Sequence, residues 1–152
     1  MQLEKTFVML KPDAVQRNFV GEIISRLEKR GLTISGLKMI HISRDLAERH
    51  YGEHRDKPFF GELVNFITSG PVVAMVLEGQ GAVEQARKMM GATDPQKSQP
   101  GTIRGDFALY MGNNIIHGSD SVESAAREID LFFEKEEIIS YTKAMNQWVH
   151  GK

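Results

Sequence analysis

Val72-Val73-Ala74-Met75-Val76-Leu77 is an unbroken apolar run set between Gly70-Pro71 and Glu78-Gly79. A run this short, closed by proline and glycine, predicts a strand in the middle of a sheet, covered on both or most of its faces. Phe7-Val8-Met9-Leu10, stopped by Lys11-Pro12, reads the same way, and Leu32 to Ser43 is a third run, interrupted at Gly36. Between the first and third runs, Val20, Ile23, Ile24 and Leu27 recur at helical spacing, with Gly31 where a C-terminal cap belongs. Beyond the central run, Val83, Ala86 and Met90 predict a helix, and Ile115-Ile116 a short strand entering His117. Val122, Ala125, Ala126, Ile129, Phe132 and Phe133 mark the strongest amphipathic helix, with Ser119, Asp120 or Ser121 as its N-cap.

Two further helical pieces fit between Asp45 and Ser69, the second carrying Phe59, Leu63, Phe66 and Ile67 on one face. The resulting order is strand, helix, strand, helices, strand, helix, strand, helix. It suits an α+β, ferredoxin-like sandwich, an antiparallel sheet with helices packed on one side. The stretch after Gly91 is long, polar and rich in proline and glycine, and uncovered loops of that length inside compact domains are usually functional. Part of an active site is expected there.

The 152 residues are expected to form one domain, 1–152. Lys and Arg total 19 against 20 for Asp and Glu, so a formal charge of -1 provides no global attraction to nucleic acid or an anionic membrane. The absence of cysteine removes disulfides, thiolate metal sites and cysteine nucleophiles. No signal-peptide pattern opens the chain, and no apolar run approaches the roughly 20 residues of a membrane helix. A cytoplasmic protein, without membrane attachment and with nucleic-acid binding disfavoured, is the expectation.

The chemistry points to Asn114-Ile115-Ile116-His117-Gly118-Ser119-Asp120-Ser121. His117 ends an apolar run just before a turn and a helix start, where an imidazole is both rigid and exposed. Its neutral ring has a free nitrogen that can attack phosphorus if phosphate-binding groups are supplied elsewhere. Candidates for that supply are Lys11 at a strand end, Arg87 on the preceding helix, Thr93 just past it, and Arg104 in the long loop. None of the four is diagnostic alone. Phe59, after Pro58, offers either a flat face for a nucleobase or an ordinary core residue opening a helix with Phe60; such stacking discriminates weakly between bases. Glu128 either reaches back toward His117, directly or through Ser119, or is a solvated carboxylate like Glu123. Asn114 is either a site residue or an ordinary turn residue.

Of the other four histidines, His41 and His150 read as surface residues. His50 and His54 are four apart, a metal-binding spacing on a regular helix, but Gly52 weakens that helix and Glu53 is the only nearby carboxylate. No metal site is expected from them, nor any protein-built metal cage; if the phosphate-binding groups serve a nucleotide, Mg²⁺ is expected to arrive on its phosphates. There is no Gly-x-x-x-x-Gly-Lys-Ser/Thr loop and no His-Arg-Asp or Asp-Phe-Gly motif, which sets aside the common ATPase and protein-kinase mechanisms.

The octet Asn114 to Ser121, with Pro100-Gly101-Thr102-Ile103-Arg104-Gly105-Asp106 and Thr6-Phe7-Val8-Met9-Leu10-Lys11-Pro12-Asp13, closely resembles the nucleoside diphosphate kinases, nearly end to end. The resemblance implies a ping-pong phosphotransferase in which His117 takes the γ-phosphoryl group of a nucleoside triphosphate and passes it to a nucleoside diphosphate, with broad base and sugar tolerance. It assigns phosphate and ribose contacts to Lys11, Arg87, Thr93 and Arg104, and a ribose contact to Asn114. Base stacking falls to Phe59 with Leu63 as its neighbour, orientation of the histidine to Glu128 and Ser119, and support of the phosphates and the histidine to Tyr51 and His54. The segment Ala108 to Asn113 departs from what many members carry, without touching these positions. The tail from Glu134 to Lys152, with Trp148, resembles the longer form of the family, which implies a homohexamer. A competing reading is a regulatory module of the same fold in which the arginines bind nucleotide and His117 does no chemistry.

Overall fold

The computed structural model describes residues 3–151. Strands β1 (Glu4–Leu10), β2 (Thr33–Ile40), β3 (Val72–Gly79) and β4 (Ile116–Gly118) form one antiparallel sheet in the order β2-β3-β1-β4. The helices are α1 (Pro12–Gln16), α2 (Val20–Lys29), α3 (Arg44–His50), α4 (Phe60–Ile67), α5 (Ala82–Met90), α6 (Ile103–Phe107), α7 (Val122–Phe132) and α8 (Asn146–His150). The α+β, ferredoxin-like arrangement is as expected. The short helices α1, α6 and α8 were not, because five residues are too few to show a helical period.

The central strands are buried on both faces, and each face carries its own core. Val8, Leu10, Val73, Met75 and Leu77 pack against Ile23 and Leu27 of α2 and Ala82, Ala86 and Met90 of α5. Phe7, Met9, Val72, Ala74 and Val76 pack against Ala47 of α3, Val64 and Ile67 of α4, and Ile129 and Phe132 of α7. Successive strand side chains point to opposite faces, so a run that is apolar at every position needs two covers. Helices therefore lie on both sides of the sheet, not on one. The second cover includes α7, whose Phe132 stacks on Phe7 at 4.7 Å between ring centroids.

Three local devices set the strand ends. Gly31, at φ +108°, closes the turn after α2 in a conformation that favours glycine. Of the three residues proposed to cap α7, Ser121 does so, its Oγ accepting from the Ser124 amide at 3.0 Å. Ile115 lies outside β4 because it sits at φ +58°, strained for a β-branched residue. Its amide donates to Asp13 Oδ2 at 3.1 Å, while Lys11 N donates to Ile115 O at 2.9 Å, and together these hold the bend that turns the chain into β4.

The long loop after α5 is more ordered than its composition suggests. Pro95–Lys97 forms a 3₁₀ turn, and Thr102 caps α6 by accepting from the Gly105 amide. Gly105 packs so closely that an added Cβ would overlap the Gln99 carbonyl oxygen, a backbone atom that cannot swing aside. Among the described residues no helix is long and apolar enough to cross a membrane. Gly105→Ala is expected to destabilise the protein by about 1–3 kcal/mol through overpacking, read as a lower midpoint in urea unfolding with an unchanged slope.

Candidate active site

β4 pairs with β1 so that His117 stands opposite Met9, which sends its side chain to the face covered by α3, α4 and α7. There His117 Nε2 lies 3.0 Å from Glu128 Oε1 of α7, and Nδ1 has no hydrogen-bond partner among the described residues. The same Glu128 oxygen accepts from Ser119 Oγ at 2.5 Å. Glu128 is buried, not a solvated helix-face carboxylate. Burial works against its charge, but the hydrogen bonds from His117 and Ser119 and the nearby imidazoles outweigh it and hold the carboxyl down at about 2. The hydrogen bonding selects the tautomer: an Nε2–H donated to carboxylate leaves the Nδ1 lone pair facing solvent.

His50, the last residue of α3, stands edge-on to His117 at 4.8 Å between centroids. Burial, and then the neighbouring His117, lowers its pKa to about 3, so it is neutral. Neither of its ring nitrogens has a hydrogen-bond partner. Sequence reasoning weighed His50 only against His54 and missed this position. Because α3 ends at His50 and His54 belongs to a separate 3₁₀ turn, Gly52–His54, the two never share a helix. Tyr51 follows, its hydroxyl pushed up to about 12 by burial and by Glu128. A cavity of about 160 Å³ opens among His50, Tyr51, His54, Arg87, His117 and Glu128. A wider, open hollow of about 670 Å³ beside Lys5, Val122 and Asp130 lies away from these groups and has no comparable convergence of donors.

Three cations gather around β4. Lys11 Nζ donates to Asn114 Oδ1 at 2.8 Å, and Asn114 Nδ2 donates to the Thr93 carbonyl at 3.0 Å, which links strand end, loop and hinge. Burial, and then Arg104, lowers Lys11 to about 8. Arg104 is 3% exposed and donates from Nε to Asn114 O, from Nη1 to Gly91 O and Ala92 O, and from Nη2 to Ile116 O. These four bonds use four of its five donor hydrogens. Arg87 Nη1 donates to Gly118 O at 3.0 Å, so the two arginines bracket His117 along the strand.

Phe59 and Phe60 part company as neighbours on a helix start can. Phe60 packs against the second core, whereas Phe59 is 45% exposed, with the His54 ring 5.6 Å away. Leu63, one turn on, is half-buried. Thus the structure brings His117, Glu128, Ser119, Tyr51, His54 and Arg87 into one cluster and Lys11, Asn114, Thr93 and Arg104 into an adjoining one. Phe59 and Leu63 do not line the cavity; Phe59 connects with it through the ring of His54, which does.

Residues 4–138 match the family model of nucleoside diphosphate kinase. A nucleoside diphosphate kinase of Carboxydothermus hydrogenoformans is 64% identical over 148 residues, 97% of this chain and 99% of that protein, and one of Bacillus cereus is 57% identical over 97% and 100%. Among solved structures, a halophilic nucleoside diphosphate kinase from Halobacterium salinarum in complex with CDP superposes with a TM-score of 0.96 at 52% identity, covering 98% of this chain and 99% of that one. A nucleoside diphosphate kinase family protein from Babesia bovis gives 0.94 at 44% identity, covering 97% and 99%.

Lys11 carries a stability consequence with a definite sign. Its pKa is lower folded, about 8, than its ordinary 10.5, so between those values the unfolded chain binds more proton and stability rises with pH. Urea titrations at pH 8 and pH 10 should show this rise, at most about 1.4 kcal/mol per pH unit, and Lys11→Met should lack that share of it.

Proposed function

The chain belongs to the nucleoside diphosphate kinases and is a phosphotransferase, and on that basis we propose that it works by a reversible ping-pong reaction through a phosphohistidine on His117. In the first half-reaction Nδ1 attacks the γ-phosphorus of a nucleoside triphosphate. The N–P bond forms as the bond from phosphorus to the β,γ-bridging oxygen breaks, and the nucleoside diphosphate leaves with that electron pair. In the second, a terminal β-phosphate oxygen of another nucleoside diphosphate attacks the same phosphorus and the N–P bond breaks. The observation that carries the reading is the Ser119–Glu128–His117 chain, which fixes one ring nitrogen and leaves the other free on the cavity side. A carboxylate so placed also stabilises the positive charge the ring acquires as it is phosphorylated.

Transfer of a phosphoryl group is chiefly a matter of alignment and of neutralising oxygens. Lys11, Arg87 and Arg104 surround the strand that presents His117, and with Thr93 they are assigned to the phosphates and ribose. Asn114, tied to Lys11, is assigned to the ribose, while Tyr51 and His54 wall the phosphates beside His117. Phe59, exposed above Leu63, is assigned to the base; a face that stacks without reading hydrogen-bond edges tolerates many bases. Magnesium prefers oxygen ligands and keeps several of its waters, so Mg²⁺ enters as part of the substrate, bound to its phosphates. The Halobacterium salinarum relative is in complex with CDP, a nucleoside diphosphate and so a ligand of the acceptor class.

The assembly proposed is a homohexamer of one-domain chains, 1–152, in the cytoplasm, with no membrane or nucleic-acid partner. Its support is apolar surface: Leu109, Tyr110 and Met111 are consecutive and exposed, as is Trp148 in the tail, an unfavourable display for an isolated chain. Light scattering should give six times 17.1 kDa, and a monomeric mass would overturn the hexamer.

Intact mass after mixing with Mg-ATP should rise by one acid-labile phosphoryl group and fall back on adding GDP, with GTP formed. His117→Ala should never gain that mass, and binding of ATP without mass gain in the wild type would overturn the mechanism. Glu128→Gln, close in volume but uncharged, should lower kcat by about 10²-fold with a much smaller change in KM.

A further inference from the structure

Glu128 carries two imidazoles, but only one is accounted for by phosphoryl transfer. His117 Nε2 is 3.0 Å from Oε1, and His50 Nδ1 is 3.9 Å from Oε2. One ligand atom from each of His50, His117 and Glu128 lies within 4.8 Å of the others. The His50 side chain is 2% exposed, and neither ring nitrogen has a hydrogen-bond partner. Buried polar groups in this condition call for a physical explanation, of which an ion is one. Two imidazoles and a carboxylate match the His₂Glu set used for zinc.

The dimensions also suit a small, borderline-soft cation. Tetrahedral ligands at 2.0–2.1 Å from a metal stand about 3.3 Å apart, against 3.0 Å from His117 to Glu128 Oε1, 3.9 Å from His50 to Oε2, and a spread of up to 4.8 Å across the three residues. Rotation of the His50 ring and a small shift of the carboxylate would close the triangle. His50 ends α3, whose C-terminal carbonyl charge favours a cation, and the cavity gives access and an open fourth position for water. The set is wrong for magnesium, which prefers octahedral oxygen, and right for Zn²⁺ or Co²⁺.

We propose that His50, His117 and Glu128 form a zinc-class divalent metal site, and that occupancy inhibits the enzyme by tying up the nucleophilic imidazole. The ion takes the Nε2 lone pair beside Glu128, so the ring's one proton moves to Nδ1, and the nitrogen assigned to attack phosphorus is left with an N–H and no lone pair; the ion also adds positive charge where the ring must become positive. Inhibition then competes with phosphorylation of His117. This rests on the assignment of His117 as nucleophile, whereas binding itself does not.

The test therefore reads binding separately from catalysis. Untagged protein, treated with chelator and dialysed, is titrated with CoCl₂ and followed by visible absorption, which intensifies when Co²⁺ becomes four-coordinate. The expected result is one equivalent per chain, displaced by Zn²⁺ but not Mg²⁺, abolished in both His50→Gln and His117→Asn, and retained in His41→Gln. Because the two losses arise on different elements, a folding defect in one variant leaves the other as the control. No four-coordinate spectrum in the wild type, or a spectrum surviving in either site variant, overturns the site. In the second arm, Zn²⁺ should slow formation of the phosphohistidine from Mg-ATP, with the half-inhibiting concentration at least tenfold higher in His50→Gln than in wild type. Binding without inhibition overturns the regulatory half. A normal phosphohistidine in a protein that binds no Co²⁺ overturns the metal site while leaving the phosphotransfer mechanism standing.

Discussion

The organisation of this protein depends on one buried carboxylate. Glu128 lies on α7, and α7 is one of the covers of the second core, so the packing of Ile129 and Phe132 against Phe7 and Met9 also delivers an anion beneath His117. A carboxylate taken out of water is costly unless it is compensated, and here Oε1 accepts from Ser119 and His117 while Oε2 faces the Arg127 guanidinium at 3.7 Å and the His50 ring at 3.9 Å. The hydrogen bonds that make the buried charge tolerable also hold the imidazole in one orientation and one tautomer. Stability and chemical competence thus rest on the same few contacts.

Much of this was legible in the sequence, and what was not has specific causes. The run Val72–Leu77 announces itself as a doubly covered strand through six apolar residues between Pro71 and Glu78-Gly79, and Phe7–Leu10 through four stopped by Lys11-Pro12. The same fact implied helices on both faces, but the helix count was assigned to one side, since periodicity gives the buried stripe of a helix and not the layer it joins. The proximity of Glu128 to His117 was anticipated as one of two readings; separation along α7 sets reach but not burial. His50 could not be found from spacing. Its position follows from where α3 stops, and helix termini are weakly encoded. Phe59 and Phe60 were alike in the sequence and are distinguished only by which of them faces the second core.

The hinge at Ile115 shows how a local strain is made to persist. A residue at φ +58° with a branched side chain is held by a buried aliphatic environment and by two backbone bonds, one to Asp13 and one from Lys11. Lys11 is therefore tied twice to the two residues that lead into β4, through its amide to Ile115 and through its ammonium to Asn114. The strand end that carries a cation is thus fastened to the entry of the strand that carries His117, which is the kind of rigidity the proposed alignment of phosphorus requires.

β4 is also the outer edge of the sheet, and its unpaired side is unusual. Ile115 and Ser119 bond toward β1, so the carbonyls of Ile116 and Gly118 point outward, where another strand would add. Both are already occupied, Ile116 by Arg104 and Gly118 by Arg87. Guanidinium groups thus stand in for a fifth strand and place positive charge along the rim. An extended peptide approaching this edge finds both outward acceptors already engaged and meets cations instead, which disfavours strand addition and amyloid-like growth along this side of the sheet.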